Sequence, residues 1–100
     1  MLNIEKMLEN GKAVIKLAGR LDTSTAPELE ATIKEVLPGL TELVLDFEAL
    51  EYVSSAGLRV LLSAQKAMNT TKGTMTVRNV QEAVNEIFEV TGFSDILTIE

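Results

Sequence analysis

The chain has 100 residues, of which 46% are hydrophobic and 24% charged, which is typical of one globular domain with a modest core. Its formal net charge of -6 disfavours nucleic acid and anionic membrane surfaces as partners, since both attract basic patches. It contains no cysteine and no histidine, which excludes disulfides, thiolate and histidine metal ligands, and the catalytic constellations that need those side chains.

The first segments of the chain predict an antiparallel hairpin over residues 2–18. Asn10-Gly11 is a strong signal for a two-residue hairpin turn, because such a turn needs backbone conformations that these two residues adopt readily. Residues 13–17 alternate, with the odd-numbered apolar side chains on one face, which is the period of a strand. We therefore expect the hairpin to form one side of a sheet.

A polar loop is predicted over residues 19–25, and the first helix follows it. Thr25 and Glu28 fit a capping box, in which each side chain bonds the backbone N–H of the other residue. Pro27 suits the first helical turn, since it removes only a donor that would be unpaired there. Apolar residues at helical spacing come next, and a Pro-Gly pair at residues 38–39 predicts the end of the helix.

The most apolar run, residues 41–47, is predicted to be the central strand, with both of its faces buried. The sequence Ser-Ser-Ala-Gly at residues 54–57 predicts a small-residue turn. From Leu58 to Met68, apolar side chains recur along one side of a helix, which predicts a core helix directly after the turn. A buried strand therefore leads into a core helix, with two hydroxyls at the junction.

The remainder of the chain predicts one further strand and one further helix. Residues 74–78 alternate as a strand does, and apolar residues at helical spacing over 80–88 precede a helix stop at Gly92. Residues 93–99 close the chain as either a helical turn or an edge strand. The order β-β-α-β-α-β-α predicts an α/β fold, with a mixed, mostly parallel sheet of about four to five strands and helices packed against it.

Three polar residues are predicted to meet at the carboxyl ends of the strands, where the sites of such folds collect. Asp22 follows the second strand and is explained most simply by a hydrogen bond within its loop. Ser54 and Ser55 follow the third strand. Such a serine caps the helix, or it is exposed and accepts a phosphate, whose charge a helix N-terminus tolerates. Both interpretations hold together if one serine caps the helix and its neighbour points outward.

Three segments of the chain, residues 19–27, 43–46 and 52–62, resemble the STAS domain, whose name joins sulfate transporters with anti-sigma factor antagonists. The resemblance runs over essentially the whole chain, so we expect a single STAS domain over residues 1–100. The stand-alone form is similar to a bacterial anti-sigma factor antagonist. The resemblance implies the STAS fold and a regulatory protein rather than an enzyme, with no cofactor and no metal.

The resemblance implies a partner-switching mechanism that regulates transcription in a stress response. The unphosphorylated protein binds an anti-sigma factor and frees the sigma factor. That anti-sigma factor is an ATP-dependent serine kinase, which phosphorylates the turn serine and so separates the pair; a PP2C-type phosphatase reverses this. We expect a cytoplasmic protein, because the sequence has no signal peptide and no apolar run of roughly 18 residues. The resemblance implies a monomer, and the net charge of -6 argues against nucleic-acid and membrane partners.

The resemblance also implies the residues of the site, with one departure from the family pattern. Many members read Asp-Ser-Ser-Gly or Asp-Ser-Thr-Gly, whereas this chain has Ser54 at the place of the Asp and Ala56 at the place of the second hydroxyl residue. We expect phosphorylation of Ser55, with Ser54 in reserve, and the missing Asp leaves that choice open. The residues expected to surround the acceptor and bind the partner are Asp22, Thr23, Ser24, Ser54, Ser55, Ala56, Gly57 and Arg59.

A second interpretation of the resemblance stays open. The protein would then be a constitutive STAS subunit of a signalling or lipid-transport assembly that is never phosphorylated. Its turn serines would serve only as helix caps, and it would bind its partner whether or not a kinase is present. An enzyme with a serine nucleophile is disfavoured, since the sequence shows no convincing base beside either serine.

Overall fold

The computed structural model of the protein describes residues 2–100, which form five strands and three helices around one sheet. Their bounds are β1 Leu2–Glu9, β2 Lys12–Leu21, α1 Ala26–Val36, β3 Glu42–Val53, α2 Ser55–Thr70, β4 Thr74–Arg78, α3 Glu82–Thr91 and β5 Thr98–Ile99. The strands lie in the order β1-β2-β3-β4-β5, with β1 antiparallel to β2 and all other pairs parallel. The predicted α/β fold with a mixed, mostly parallel sheet is confirmed.

The hydrophobic core lies on one side of the sheet. Successive side chains of a strand point to opposite faces, so every second residue of β2, β3 and β4 enters the core. These core residues are Ala13, Ile15, Leu17, Leu43, Leu45, Phe47, Met75 and Val77. All three helices contribute to the same core, and the ring of Phe88 in α3 lies 6.2 Å from that of Phe47. The helices therefore cover the same face of the sheet.

The central strand is buried on both faces, as predicted, but the two faces are buried differently. Val44 and Asp46 point away from the helices, yet they are only 4% and 7% exposed. Asp46 lies between Lys16 of β2 and Arg78 of β4 in the strand register. Hydrogen bonds to the Asp46 carboxylate from neighbouring groups include one from Asn79 Nδ2 at 3.2 Å. Long neighbouring side chains, rather than a helix, cover this part of the second face.

The structure corrects the length of the central strand. The predicted strand was residues 41–47, whereas β3 continues to Val53. The apolar run ends at Phe47, but the strand continues with exposed Glu48 and Glu51 and remains paired with β2 as far as Leu21. Irregularities in the register of β2 and β3 accommodate this long pairing, as β-bulges do.

The helix boundaries also differ from the prediction. The core helix was expected over 58–68, but α2 begins at Ser55, so Gly57 lies in its first turn rather than before it. The predicted stop at Gly92 is confirmed, with the left-handed φ of 82° that glycine adopts without strain. Residues 93–99 contain both predicted alternatives, first a 3-10 turn and then the edge strand β5.

Both ends of the described chain lie near the carboxyl ends of the parallel strands. Leu2 is paired with Gly19 near the end of β2, because β1 runs antiparallel to it. Ile99 is paired with Val77 near the end of β4. Among residues 2–100 we find no helix with the length and apolar character that a membrane crossing requires.

Candidate functional site

The carboxyl ends of β2 and β3 form a common rim, and the two connections that leave it begin side by side. Leu21 and Val53 are register partners at the ends of these strands. Ser54, the first residue after β3, donates its backbone N–H to the carbonyl oxygen of Leu21 at 2.8 Å. Asp22 and Ser54 are therefore the first residues beyond two adjacent strands, which brings the two loops singled out in the sequence together.

The Asp22 carboxylate is used within its own loop. Its Oδ1 atom accepts hydrogen bonds from Ser24 Oγ at 2.8 Å, from Ser24 N at 3.0 Å and from Thr25 N at 3.1 Å. The hydrogen bond from the Ser24 hydroxyl and those from Thr25 hold the pKa of Asp22 below its ordinary value, against the effect of partial burial. This arrangement is a local turn motif and matches the simpler of the two interpretations of Asp22.

The capping box predicted for Thr25 and Glu28 is wrong. Thr25 precedes α1, but its side chain makes no cap bond to the helix. Its Oγ1 atom accepts from Asp22 N at 2.8 Å and donates to the carbonyl oxygen of Arg20 at 2.9 Å. The loop's own backbone groups compete with the helix for this hydroxyl, which threonine side chains commonly permit. Thr25 is therefore a buried support for the loop.

Ser54 is the N-cap of α2. Its backbone is extended, with φ -89° and ψ 174°, and its Oγ atom accepts from the backbone N–H of Gly57 at 3.3 Å. The Ser54 carbonyl oxygen accepts the first helical bond, from Leu58 N at 2.9 Å. The side chain is half-buried. The hydroxyl of Ser54 thus satisfies one of the N–H groups that a helix N-terminus leaves unpaired.

Ser55, the first residue of α2, has a different environment. The residue is exposed, and its hydroxyl forms no hydrogen bond with any residue that the structure describes. Its position at the positive end of the helix dipole favours a negative group. The structure therefore separates the two serines, with Ser54 as the cap and Ser55 as the free hydroxyl.

Gly57 sets how closely α2 approaches the sheet. A Cβ atom at this position would lie 2.7 Å from Cγ of Leu21 and 3.1 Å from Cγ1 of Val53, closer than side chains tolerate. Both contacted residues are buried at the ends of their strands. The glycine of the Ser-Ser-Ala-Gly segment is therefore needed for close packing between the helix start and the rim, rather than for a special backbone angle.

A shallow groove of about 300 Å³ lies between the first turns of α1 and α2. It is lined by Thr23, Ala26, Pro27, Glu30, Ala56, Arg59, Val60 and Ser63. Glu30 and Arg59 are its charged residues, and Glu30 also pairs with Lys34 at 4.0 Å. Among residues 2–100, no three acidic side chains lie close enough to hold a metal ion. The groove therefore includes Thr23 and Arg59 together with Ala56, the residue after the exposed serine.

Two further residues of the rim were missed in the sequence. Arg20 and Tyr52 are register partners, and the Arg20 guanidinium lies 4.4 Å from the centre of the Tyr52 ring. Such a cation–π contact orients the arginine at the rim. The contact between these two residues was not predicted from the sequence, because residue 20 was assigned to a loop and residue 52 was not assigned to the strand.

Comparison with known proteins agrees with the fold and with the resemblance. A family model described as "Mlab, STAS domain" matches residues 6–98. BtrV of Bordetella bronchiseptica, to which the role of anti-sigma factor antagonist is ascribed, is 34% identical over 91 residues, covering 90% of this chain and 78% of BtrV. The anti-sigma-B factor antagonist of Staphylococcus aureus is 28% identical over 99 residues, covering 98% of this chain and 92% of that protein.

Solved structures support the same assignment of the fold. The unphosphorylated form of the anti-sigma factor antagonist SpoIIAA superposes with a TM-score of 0.77 at 20% identity, covering 100% of this chain and 87% of that chain. The phosphorylated form of SpoIIAA from Bacillus gives a TM-score of 0.76 at 20% identity, covering 100% and 91%. This chain belongs to the STAS domain family, in which these relatives are regulators named for antagonising anti-sigma factors.

Proposed function

We propose that this protein is an anti-sigma factor antagonist whose binding is switched off by phosphorylation of Ser55. The unmodified protein binds an anti-sigma factor at the rim formed by the Asp22 loop and the start of α2, and so releases the sigma factor. The anti-sigma factor is itself the ATP-dependent kinase, and a PP2C-type phosphatase removes the phosphate. The protein is a substrate in this cycle, and the cycle operates in the cytoplasm.

The observation that carries this proposal is that the two serine hydroxyls differ in hydrogen bonding and in exposure. The Ser54 hydroxyl oxygen accepts a hydrogen bond from the backbone N–H of Gly57. The Ser55 hydroxyl is exposed and forms no hydrogen bond with the described residues. A phosphate on Ser55 would add roughly -1.5 to -2 charges at a helix N-terminus, where the helix dipole favours them. A phosphate on Ser54 would instead modify the oxygen that already accepts a hydrogen bond from Gly57 N. The geometry therefore favours Ser55 over Ser54.

The same geometry supports an effect on the partner without refolding of this protein. Ser55 and the neighbouring Thr23 and Ser24 are exposed at one rim, so a partner packed over it would remove them from water. A phosphate dianion in such an interface loses much of its hydration, which is costly for a doubly charged group. Since about 1.4 kcal/mol changes affinity tenfold, even a few kcal/mol of lost solvation would dissociate the complex.

The first test is phosphopeptide mapping of the protein taken from its native cell in growth and in stress. Phosphate is expected on Ser55 in one condition and absent in the other. The matched variants are Ser55→Ala and Ser54→Ala, incubated with the anti-sigma factor and ATP. We expect Ser55→Ala to remain bound and unmodified, whereas Ser54→Ala is still phosphorylated and released. Phosphate on Ser54 alone would assign the switch to the other serine.

A constitutive STAS subunit is the second candidate, and the turn sequence favours it in one respect. Ala56 has no hydroxyl at the place where many family members have one, and Ser54 replaces their Asp. In that case Ser55→Ala and Ser55→Glu would bind the partner equally, with or without kinase and ATP. Since glutamate mimics phosphate imperfectly, the alanine variant decides between the two candidates.

A further inference from the structure

We propose that Arg59 binds the phosphate on Ser55 within the same molecule and so fixes the modified state of the switch. This inference rests on the proposed function, because it concerns the protein after phosphorylation. It assigns a role to a residue of this chain beyond the acceptor itself. Its physical basis is the placement of Ser55 and Arg59 on α2, together with the absence of another partner for Arg59 among residues 2–100.

The spacing of the two residues brings them together on one face of the helix. Ser55 and Arg59 both lie in α2, four positions apart, and both are exposed. Residues at this spacing are neighbours, with about 5–6 Å between their Cβ atoms. Helical side chains tilt toward the N-terminus, so the Arg59 guanidinium extends back toward residue 55. An acidic group four residues before a basic one is also the more favourable order.

Arg59 is free to take a new partner. Ion pairs of the described residues join Lys6 to Glu35, Lys12 to Glu42, Lys34 to Glu30 and Arg78 to Asp46, and none includes Arg59. The other arginine at this rim, Arg20, lies over the Tyr52 ring. Arg59 is thus the rim cation with no partner among residues 2–100.

The carboxylates near the phosphate are already engaged by other groups. Glu30 faces Arg59 across the groove and pairs with Lys34. Asp22 is held by the Ser24 and Thr25 hydrogen bonds of its loop. A phosphate on Ser55 would therefore be the strongest acceptor available to Arg59.

Arginine suits this role chemically, and the pairing is specific for one serine. A guanidinium presents several N–H donors in one plane, which matches two phosphate oxygens at once. A phosphate on Ser54 would lie five positions from Arg59, and outside the helix, where the side chain does not reach it with the same geometry. The pairing would also withdraw the Arg59 side chain from the groove. Phosphorylation would then change the rim both by adding negative charge and by moving Arg59.

The test uses protein with phosphoserine placed at position 55 during synthesis, so that it does not depend on any kinase. Phosphorus NMR titration then gives the second pKa of the phosphate in the natural sequence, in Arg59→Gln and in Lys66→Gln. Lys66 is an exposed residue of α2, about 16 Å from Ser55 along the helix axis, and Lys66→Gln removes one positive charge, as Arg59→Gln does.

We expect Arg59→Gln to raise the phosphate pKa by about 0.3, whereas Lys66→Gln leaves it unchanged, because the distant charge is screened. The NMR signal of the Arg59 side-chain N–H should also move on phosphorylation. Equal pKa values in the natural sequence and Arg59→Gln would overturn the proposal, and so would equal increases in both variants. Absence of phosphate in the native cell would count against the proposed function but leave this measurement unaffected.

Discussion

The loop after β2 and the turn after β3 begin side by side at one rim, yet they are stabilised in different ways. Residues 22–25 form a loop whose side chains bond one another and the loop backbone. The turn after β3 is much shorter, since Ser54 alone separates the strand from α2. It is fixed by the Ser54 cap bond, by the backbone hydrogen bond from Ser54 N to Leu21 O, and by the close approach of Gly57 to Leu21.

This difference explains why the Ser55 hydroxyl stays free, whereas the side chains of Asp22, Ser24 and Thr25 are bonded within their loop. In the Asp22 loop, the side chains of Asp22, Ser24 and Thr25 hold the loop together by hydrogen bonds, in which the exposed Thr23 side chain takes no part. In the turn after β3, packing at Gly57 and the Ser54 cap fix the backbone without Ser55. The Ser55 hydroxyl can remain free because packing and the hydrogen bonds of its neighbour fix the turn without it.

The largest expected effect tests the packing at the turn. Gly57→Ala should destabilise the protein by about 2 kcal/mol, because overpacking against Leu21 outweighs the higher helix propensity of alanine. Urea denaturation measures the change in unfolding free energy. Ser63→Ala, an exposed change on the same helix, is the control and should stay within about 0.5 kcal/mol. Equal stability of Gly57→Ala and the natural protein would show that packing does not fix the turn.

The next effect tests the hydrogen bonds of the Asp22 loop. Thr25→Val keeps the side-chain volume but removes the partner of Arg20 O and Asp22 N, so we expect a loss of about 1.5 kcal/mol. Thr23→Val serves as the control, since Thr23 is exposed in the same loop. If denaturation gave the same stability for both variants, the buried Thr25 hydroxyl would not support the loop.

A smaller effect distinguishes the two serines. Ser54→Ala should cost about 1 kcal/mol through loss of the N-cap, whereas Ser55→Ala should change stability by less than about 0.5 kcal/mol. Thermal and urea unfolding of the unphosphorylated variants provide the comparison. The reverse order of the two losses would mean that Ser55, rather than Ser54, caps the helix.

The smallest expected effect is the pH dependence due to Asp22. Its pKa is lowered in the folded protein, so its contribution to stability is present above the ordinary pKa of about 3.9 and is lost as pH falls through the lower folded value. The difference in stability between the natural protein and Asp22→Asn should therefore shrink as pH falls below about 3.9. Denaturation at several pH values measures it. A difference that did not vary with pH would contradict a stabilising role for the charge.

Local signals in the sequence were sufficient for much of the fold. The Asn10-Gly11 turn has positive φ angles of 43° and 82°, as the turn signal requires, and Gly92 ends α3 in the left-handed conformation. Such features depend on a few adjacent residues. The full length of β3 depends instead on pairing with β2, which lies far away in sequence, so that pattern and propensity ended the strand too early.

The candidate site shows the same limit at the level of side chains. The sequence placed Asp22 and both serines at one rim, because chain order and strand direction determine that position. It could not assign the roles of Ser54 and Ser55, whose hydroxyls are chemically equal until the backbone of the helix start is known. Thr25 fitted a capping pattern, but the direction of its hydroxyl is decided by competition among nearby backbone groups.

The antiparallel first strand and the short last strand have a practical consequence for anything attached to this protein. Leu2 is paired with Gly19, two residues before the end of β2 at Leu21, so a fused tag or fluorophore attached before it would start beside the proposed docking rim. Ile99 pairs with Val77, which is level with Leu45 of β3, eight residues before Val53, so an attachment at that end would start far from the rim. The hairpin turn at Asn10-Gly11 lies at the opposite end of β2. Labels inserted there would leave the rim clear, and a circular permutant opened at that turn would carry its new ends away from the partner.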